Sequence, residues 1–153
     1  MTGIEMNKSI EEYLNVLTGS TFIKIAEVHG NQVVLETYSS YDEYKINNSD
    51  SLITENSYEI YYSTGDAIEK ILAGEPVRIL RSYPQINEVL YTIRFREVSY
   101  TINITRDALD EFLGFNIIDL NGSKELWRNR YVNVYLSGLK NKKRKGLVRA
   151  FSK

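Results

Sequence analysis

Two alternating runs, separated by Glu97 alone, constrain the fold of this chain more than any other feature. In the first, Val89, Tyr91, Ile93 and Phe95 share one side, with Thr92, Arg94 and Arg96 on the other. In the second, Val98, Tyr100, Ile102 and Ile104 stand opposite Ser99, Thr101 and Asn103. A period of two belongs to a strand with one apolar and one wetted face. The runs therefore predict neighbouring strands of an antiparallel sheet, Val89–Arg96 and Val98–Ile104. Tyr91, Ile93, Phe95, Tyr100, Ile102 and Ile104 are its expected core.

The flanking sequence supplies further strands. Val77–Tyr83 reads as one, opened by Glu75-Pro76, because proline lacks a donor and disfavours helix before it. An earlier hairpin is expected from Phe22–Val28 and Gln32–Tyr38 around His29-Gly30-Asn31. Tyr58–Tyr62 has strand composition, and 39–56 reads as a long polar loop with one short strand near 43–46. Helices are fewer. Ser9–Leu17 carries a capping box in Ser9 and Glu12 and an apolar stripe of Ile10, Tyr13, Leu14 and Leu17. Asp66–Ala73 ends at Gly74, and Thr105 caps Arg106–Leu113, which Gly114 stops. Ile117–Leu120 is a short apolar run closed by Asn121-Gly122, and Ser123 caps one helical turn through Trp127. Tyr131–Leu136 and Leu147–Phe151 read as closing strands. A faint echo links Tyr58–Leu72 with Tyr100–Leu113, of the kind any strand-to-helix junction produces. These elements make one α+β domain over residues 1–153, mainly antiparallel sheet with two or three short helices.

Composition excludes several classes of function. The 153 residues are 42% hydrophobic and 25% charged, as in a globular chain, and contain no cysteine. Disulfides, thiolate nucleophiles and cysteine-ligated metal sites are thereby ruled out. No signal peptide and no run of eighteen apolar residues is present, so a cytoplasmic location and no membrane contact are expected. Abundant Tyr, Asn and Ile suggest an AT-rich gene, of phage or mobile-element type.

Charge is where function enters. From Ser123 to Lys153 there are ten basic residues and one acidic, whereas residues 1–75 hold four basic and thirteen acidic. The net charge of −1 hides this separation. An expected C-terminal hairpin would present Arg128, Arg130, Lys140, Lys142, Lys143, Arg144, Lys145 and Arg149 to phosphates. Tyr131 and Tyr135 would face outward to stack on bases. The expected function is thus a non-catalytic binding protein that engages nucleic acid. The strand, basic turn and strand resemble accessory DNA-contacting strands of some phage homing endonucleases, without their catalytic histidine motif.

Two other readings compete. Glu11, Glu12, Asp42, Glu43, Asp50, Glu55 and Glu59 could meet a basic protein, as an inhibitor or immunity-type protein would. A small carboxylate-dependent nuclease is the third, with no stretch that localises its site. Asp42-Glu43-Tyr44-Lys45 has an acid-x-Lys spacing found in some metal-dependent nucleases, but such triplets are common by chance and no anchoring strand precedes this one. His29 sits alone in a turn. Asp119-Leu120-Asn121-Gly122 begins like a calcium loop but lacks the later ligands. No cofactor, no metal and no catalytic residue is expected.

Overall fold

The computed structural model describes residues 9–64 and 66–153. Ser9 opens α1 (Ile10–Leu14): its hydroxyl accepts from the Glu12 amide, and the Glu12 carboxylate takes the Ser9 amide. The helix is shorter than its apolar stripe, yet Ile10, Leu14 and the following Leu17 are all buried. Strands β1 (Ile23–His29) and β2 (Gln32–Thr37) then pair antiparallel around Gly30, whose φ of 62° suits the tight turn.

The next segment departs from expectation. No strand lies between residues 39 and 64. Ser40 caps α2 (Tyr41–Asn47) and Thr54 caps α3 (Glu55–Ser63), each side-chain oxygen accepting an amide three residues on. Tyr58 and Tyr62 are four apart, a helical spacing, and both pack on Phe22 and Phe95. Strand propensity of tyrosine is a preference for a half-buried surface, and a helix offering such a surface satisfies it.

A larger correction concerns α4 (Asp66–Ser82), which runs through Gly74-Glu75-Pro76 without a break. The predicted strand Val77–Tyr83 does not exist. Ile68, Ile71, Leu72, Glu75, Pro76, Ile79 and Leu80 recur at helical spacing, and all are buried. A helix buried on most sides gains enough from packing to carry an internal proline, whose intrinsic cost is roughly 3 kcal/mol. The hydroxyl of Tyr131 donates to the carbonyl of Ala73 at 2.6 Å, three residues before that proline.

Strands β3 (Glu88–Phe95) and β4 (Val98–Thr105) pair antiparallel from Glu88↔Thr105 to Phe95↔Val98, as the alternation predicts. Three helices separate β2 from β3, so β3 returns parallel to β2, Val33 opposite Val89. The sheet, ordered β1-β2-β3-β4, is therefore mixed rather than antiparallel. Val33, Leu35, Val89, Tyr91, Ile93, Phe95, Ile102 and Ile104 fill its inner face. Tyr100 is the exception, 39% exposed on an edge strand near the turn.

Thr105 and Gly114 bound α5 (Arg106–Leu113) as expected. After a 3₁₀ turn at Ile117–Leu120, Ser123 caps α6 (Lys124–Trp127), which continues as π-helix over Arg128–Leu136. Asn141 caps α7 (Lys142–Phe151). Both expected closing strands are helical, so the described residues hold seven helices instead of two or three. The echo is not structural, since Tyr58 lies in a helix and Tyr100 in a strand.

The through-running α4 makes a simple prediction. A Cβ at Gly74 would meet the Leu136 methyls at 3.6 Å, an ordinary contact. Gly74→Ala is expected to stabilise the protein by about 0.5–1 kcal/mol in urea denaturation. A loss of that size instead would show that the helix needs glycine at this point.

Candidate nucleic-acid interface

The basic C-terminal segment forms two packed helices, and they divide its charges. α7 turns Arg144, Leu147, Val148 and Phe151 inward, positions i, i+3, i+4 and i+7. Lys142, Lys145 and Arg149 share the opposite stripe, with Lys143 at its border, and all four are exposed. On the preceding π segment Arg128 and Arg130 are exposed as well, with Arg130 over the Phe115 ring at 5.6 Å. No acidic residue lies between Leu126 and Lys153.

Arg144 does not belong to this surface. Its side chain is 0% exposed. Nη2 donates to Asp66 Oδ1 at 2.9 Å and to the Gly138 carbonyl at 3.2 Å, and Nη1 to the Tyr135 carbonyl at 3.4 Å. Glu69 Oε1 lies 3.6 Å from Nε. The Lys140 amide donates to Asp66 Oδ1 at 3.0 Å from a residue with φ of 54°, while its side chain is exposed. That amide first, then Arg144, holds the Asp66 carboxyl below its usual range. Lys145 pairs with Glu69 at 3.0 Å. The fourfold cationic run thus contains one buried structural ion, one paired lysine, and two lysines with no acidic partner among the described residues.

The expected stacking residues are also reassigned. Tyr131 is fully buried, 5.0 Å from the Trp127 ring and 4.9 Å from the Tyr135 ring, both stacked. Burial drives its phenol pKa well up. Tyr135 is half-buried, its ring 6.4 Å from Phe112. Residues 127, 131 and 135 recur every four positions, and in a helical segment that spacing stacks rings inside one column. Period two, read as a strand, placed them outward.

Arg78 and Arg81 were not singled out by the sequence, because α4 was expected to end before them. Arg81 lies 4.9 Å and Arg78 5.6 Å from the Trp127 ring. Arg78 also pairs with the buried Glu75, whose carboxyl is pushed up by burial against the opposing pull of Arg78. The helical repeat 68, 71, 72, 75, 76, 79 was the signal that could have found them.

On the acidic side, Glu43 accepts from Lys24 at 2.7 Å and from the Ser39 amide and hydroxyl at 2.7 and 3.0 Å. Lys24 first, then Ser39, brings its carboxyl down to about 2. Lys45 donates to the Ser49 and Ser51 carbonyls, away from Asp42 and Glu43. Among the described residues no group of three or more His, Asp or Glu is placed to hold a metal. His29 meets Glu27 at 2.9 Å on the surface. No helix among them is long and apolar enough to cross a membrane. Comparison of the chain with family models, curated proteins and solved structures finds no match.

Three outcomes are expected. Arg144→Ala should destabilise by about 3–5 kcal/mol in chemical denaturation, since it strands buried polar groups. Lys142→Gln should stay within about 0.5 kcal/mol of the parent. Glu43 has a depressed folded pKa, so its contribution is present above the ordinary value of 4.5 and is lost as pH falls towards about 2. Glu43→Gln should therefore lower the thermal midpoint at pH 7 and flatten its decline between pH 5 and pH 2. An unchanged acid limb would show that Glu43 does not hold β1 to α2.

Proposed function

We propose that the chain is a non-catalytic binding protein that engages nucleic acid, with α7 and the adjoining Arg128 and Arg130 as the contact surface. One observation carries this reading. The outer stripe of α7 holds Lys142, Lys145 and Arg149, with Lys143 beside it and no carboxylate on the helix. Lys142 and Lys143 sit in its first turn with no acidic partner among the described residues, where the macrodipole disfavours positive charge by about 0.3–1 kcal/mol each. A fold selected for stability alone would place them elsewhere. A phosphate at that end offsets the repulsion and meets backbone amides as well.

The contact set narrows to Arg128, Arg130, Lys140, Lys142, Lys143, Lys145 and Arg149. With Tyr131 inside and Tyr135 against Phe112, no tyrosine of the segment serves as a free platform for unpaired bases. The surface is one of point charges along a helix, which suits the regular phosphates of a duplex better than a splayed single strand.

Fluorescence anisotropy with labelled duplex and single-stranded oligonucleotides across a salt series tests the proposal. The parent chain should bind duplex at low salt and lose affinity steeply as salt rises. Replacing Lys142, Lys143, Lys145 and Arg149 with Gln should flatten the log–log slope by at most about 3.6 on duplex. Absence of binding at low salt removes the function. A slope that survives the four changes moves the contact surface away from α7.

A further inference from the structure

A cleft opens at the acidic corner of the molecule, between the start of α2, the first turns of α3 and the β3–β4 turn. Asp42, Glu55, Glu59 and Glu97 border it, against one cation, Arg96. Arg96 donates Nε and Nη2 to Glu59 Oε1 at 3.1 and 2.8 Å. The other three carboxylates have no cationic partner among the described residues. Arg96 and Glu97 form the turn with φ of 53° and 65°, a left-handed geometry usually left to Asn and Gly, and it sets both side chains at the cleft.

The walls are aromatic. Tyr41 and Tyr58 both line the cleft, ring centroids 5.9 Å apart. Tyr58 is only 3% exposed, and its hydroxyl has no hydrogen-bond partner among the described residues. A buried polar group without a partner is uncommon, and here it stands at the wall of a negatively charged recess. Burial first, then Glu59, raises the Tyr58 pKa, so the phenol stays neutral and its oxygen can accept a hydrogen bond. The volume is about 160 Å³, well below the roughly 300–1,000 Å³ of metabolite pockets.

We propose that this cleft takes the lysine or arginine side chain of a partner protein. A long aliphatic stem lies along the partly exposed Tyr41 ring, and its cationic head reaches Asp42, Glu55 and Glu97, drawing on the unpaired Tyr58 oxygen behind that ring as a further acceptor. An anion is repelled there, and an apolar group would desolvate three carboxylates without compensation. The site shares no residue with the basic stripe of α7, so it stands or falls independently of nucleic-acid binding.

The test titrates the ¹⁵N-labelled chain with blocked pentapeptides of sequence Gly-Ser-X-Ser-Gly, where X is lysine, arginine or norleucine. Lysine and arginine peptides should give saturable amide shifts confined to 39–42, 55–59 and 96–97, and the norleucine peptide none. Glu55→Gln with Glu97→Gln should weaken binding by about fivefold or more. Tyr58→Phe, which removes an acceptor but no charge, should weaken it by about threefold or more. Shifts spread evenly over exposed acids such as Glu11 and Asp107, with an affinity indifferent to Tyr58→Phe, would reduce the site to unspecific attraction and overturn the proposal. Equal binding of the norleucine peptide would do the same. Shifts at these residues that grow with protein concentration alone, and vanish on Lys142→Gln with Lys143→Gln, would make the occupant a second copy of this chain and also overturn it.

Discussion

α4 carries polar groups into the interior, and the C-terminal segment answers two of them. Asp66 at its start, Glu75 in its middle and the Ala73 carbonyl before Pro76 all lie where water is scarce. A buried polar group left unmatched costs on the order of 1–3 kcal/mol, and a charge more. Arg144 and the Lys140 amide answer Asp66, Arg78 and the Thr18 amide answer Glu75, and the Tyr131 hydroxyl answers Ala73. Two of these partners come from α7 and the π segment. That explains why a run of cations and aromatics that suggests a ligand surface is partly structural.

What could be read in the sequence follows from the range of the interactions involved. Caps are local, and Ser9, Thr105 and Ser123 act as their neighbours dictate. The β3 and β4 alternation is local too, and its strand and core assignments hold except at Tyr100. The parallel β2–β3 pairing depends on three intervening helices, of which the sequence suggested only the first half of the last, Asp66–Ala73, with loop and strand elsewhere. Pro76 misled most: its local rule is sound, but the rule competes with burial on both flanks of α4, visible only as a repeat that continues past the proline. Tyr131 and Tyr135 were placed outward by a period of two that also fits residues four apart on a helix. Once Trp127 joins them at the same spacing, the helical choice is the one that stacks all three rings in one column.

Charge shows the same difference between chain and space. The acidic front and basic end are separate in sequence, yet Asp66 and Glu69 are met by Arg144 and Lys145. Glu59 is met by Arg96 and Glu43 by Lys24. The polarisation is therefore smaller at the surface than in the sequence. Among the charges with no ionic partner in the described residues are Lys142, Lys143 and Arg149 on the outer stripe of α7, and Asp42, Glu55 and Glu97 around the recess at Tyr58.

Salt acts on these two populations of charge differently. Exposed ions separated by more than a Debye length, about 8 Å at physiological ionic strength, are largely screened, whereas buried pairs are screened much less. Arg144, with no exposed surface and a carboxylate at 2.9 Å, keeps its attraction in a buffer that silences Lys142 and Lys143. The binding proposed for the α7 stripe should therefore weaken with salt without loosening the contact that holds α7 to α4. The reverse does not hold: removing Arg144 disturbs the helix that presents the stripe, so lost binding in that variant says nothing about a contact by Arg144 itself. Burial separates the charge that folds from the exposed charges proposed to bind, and consecutive letters in the chain, Lys143 and Arg144, fall on opposite sides of that line.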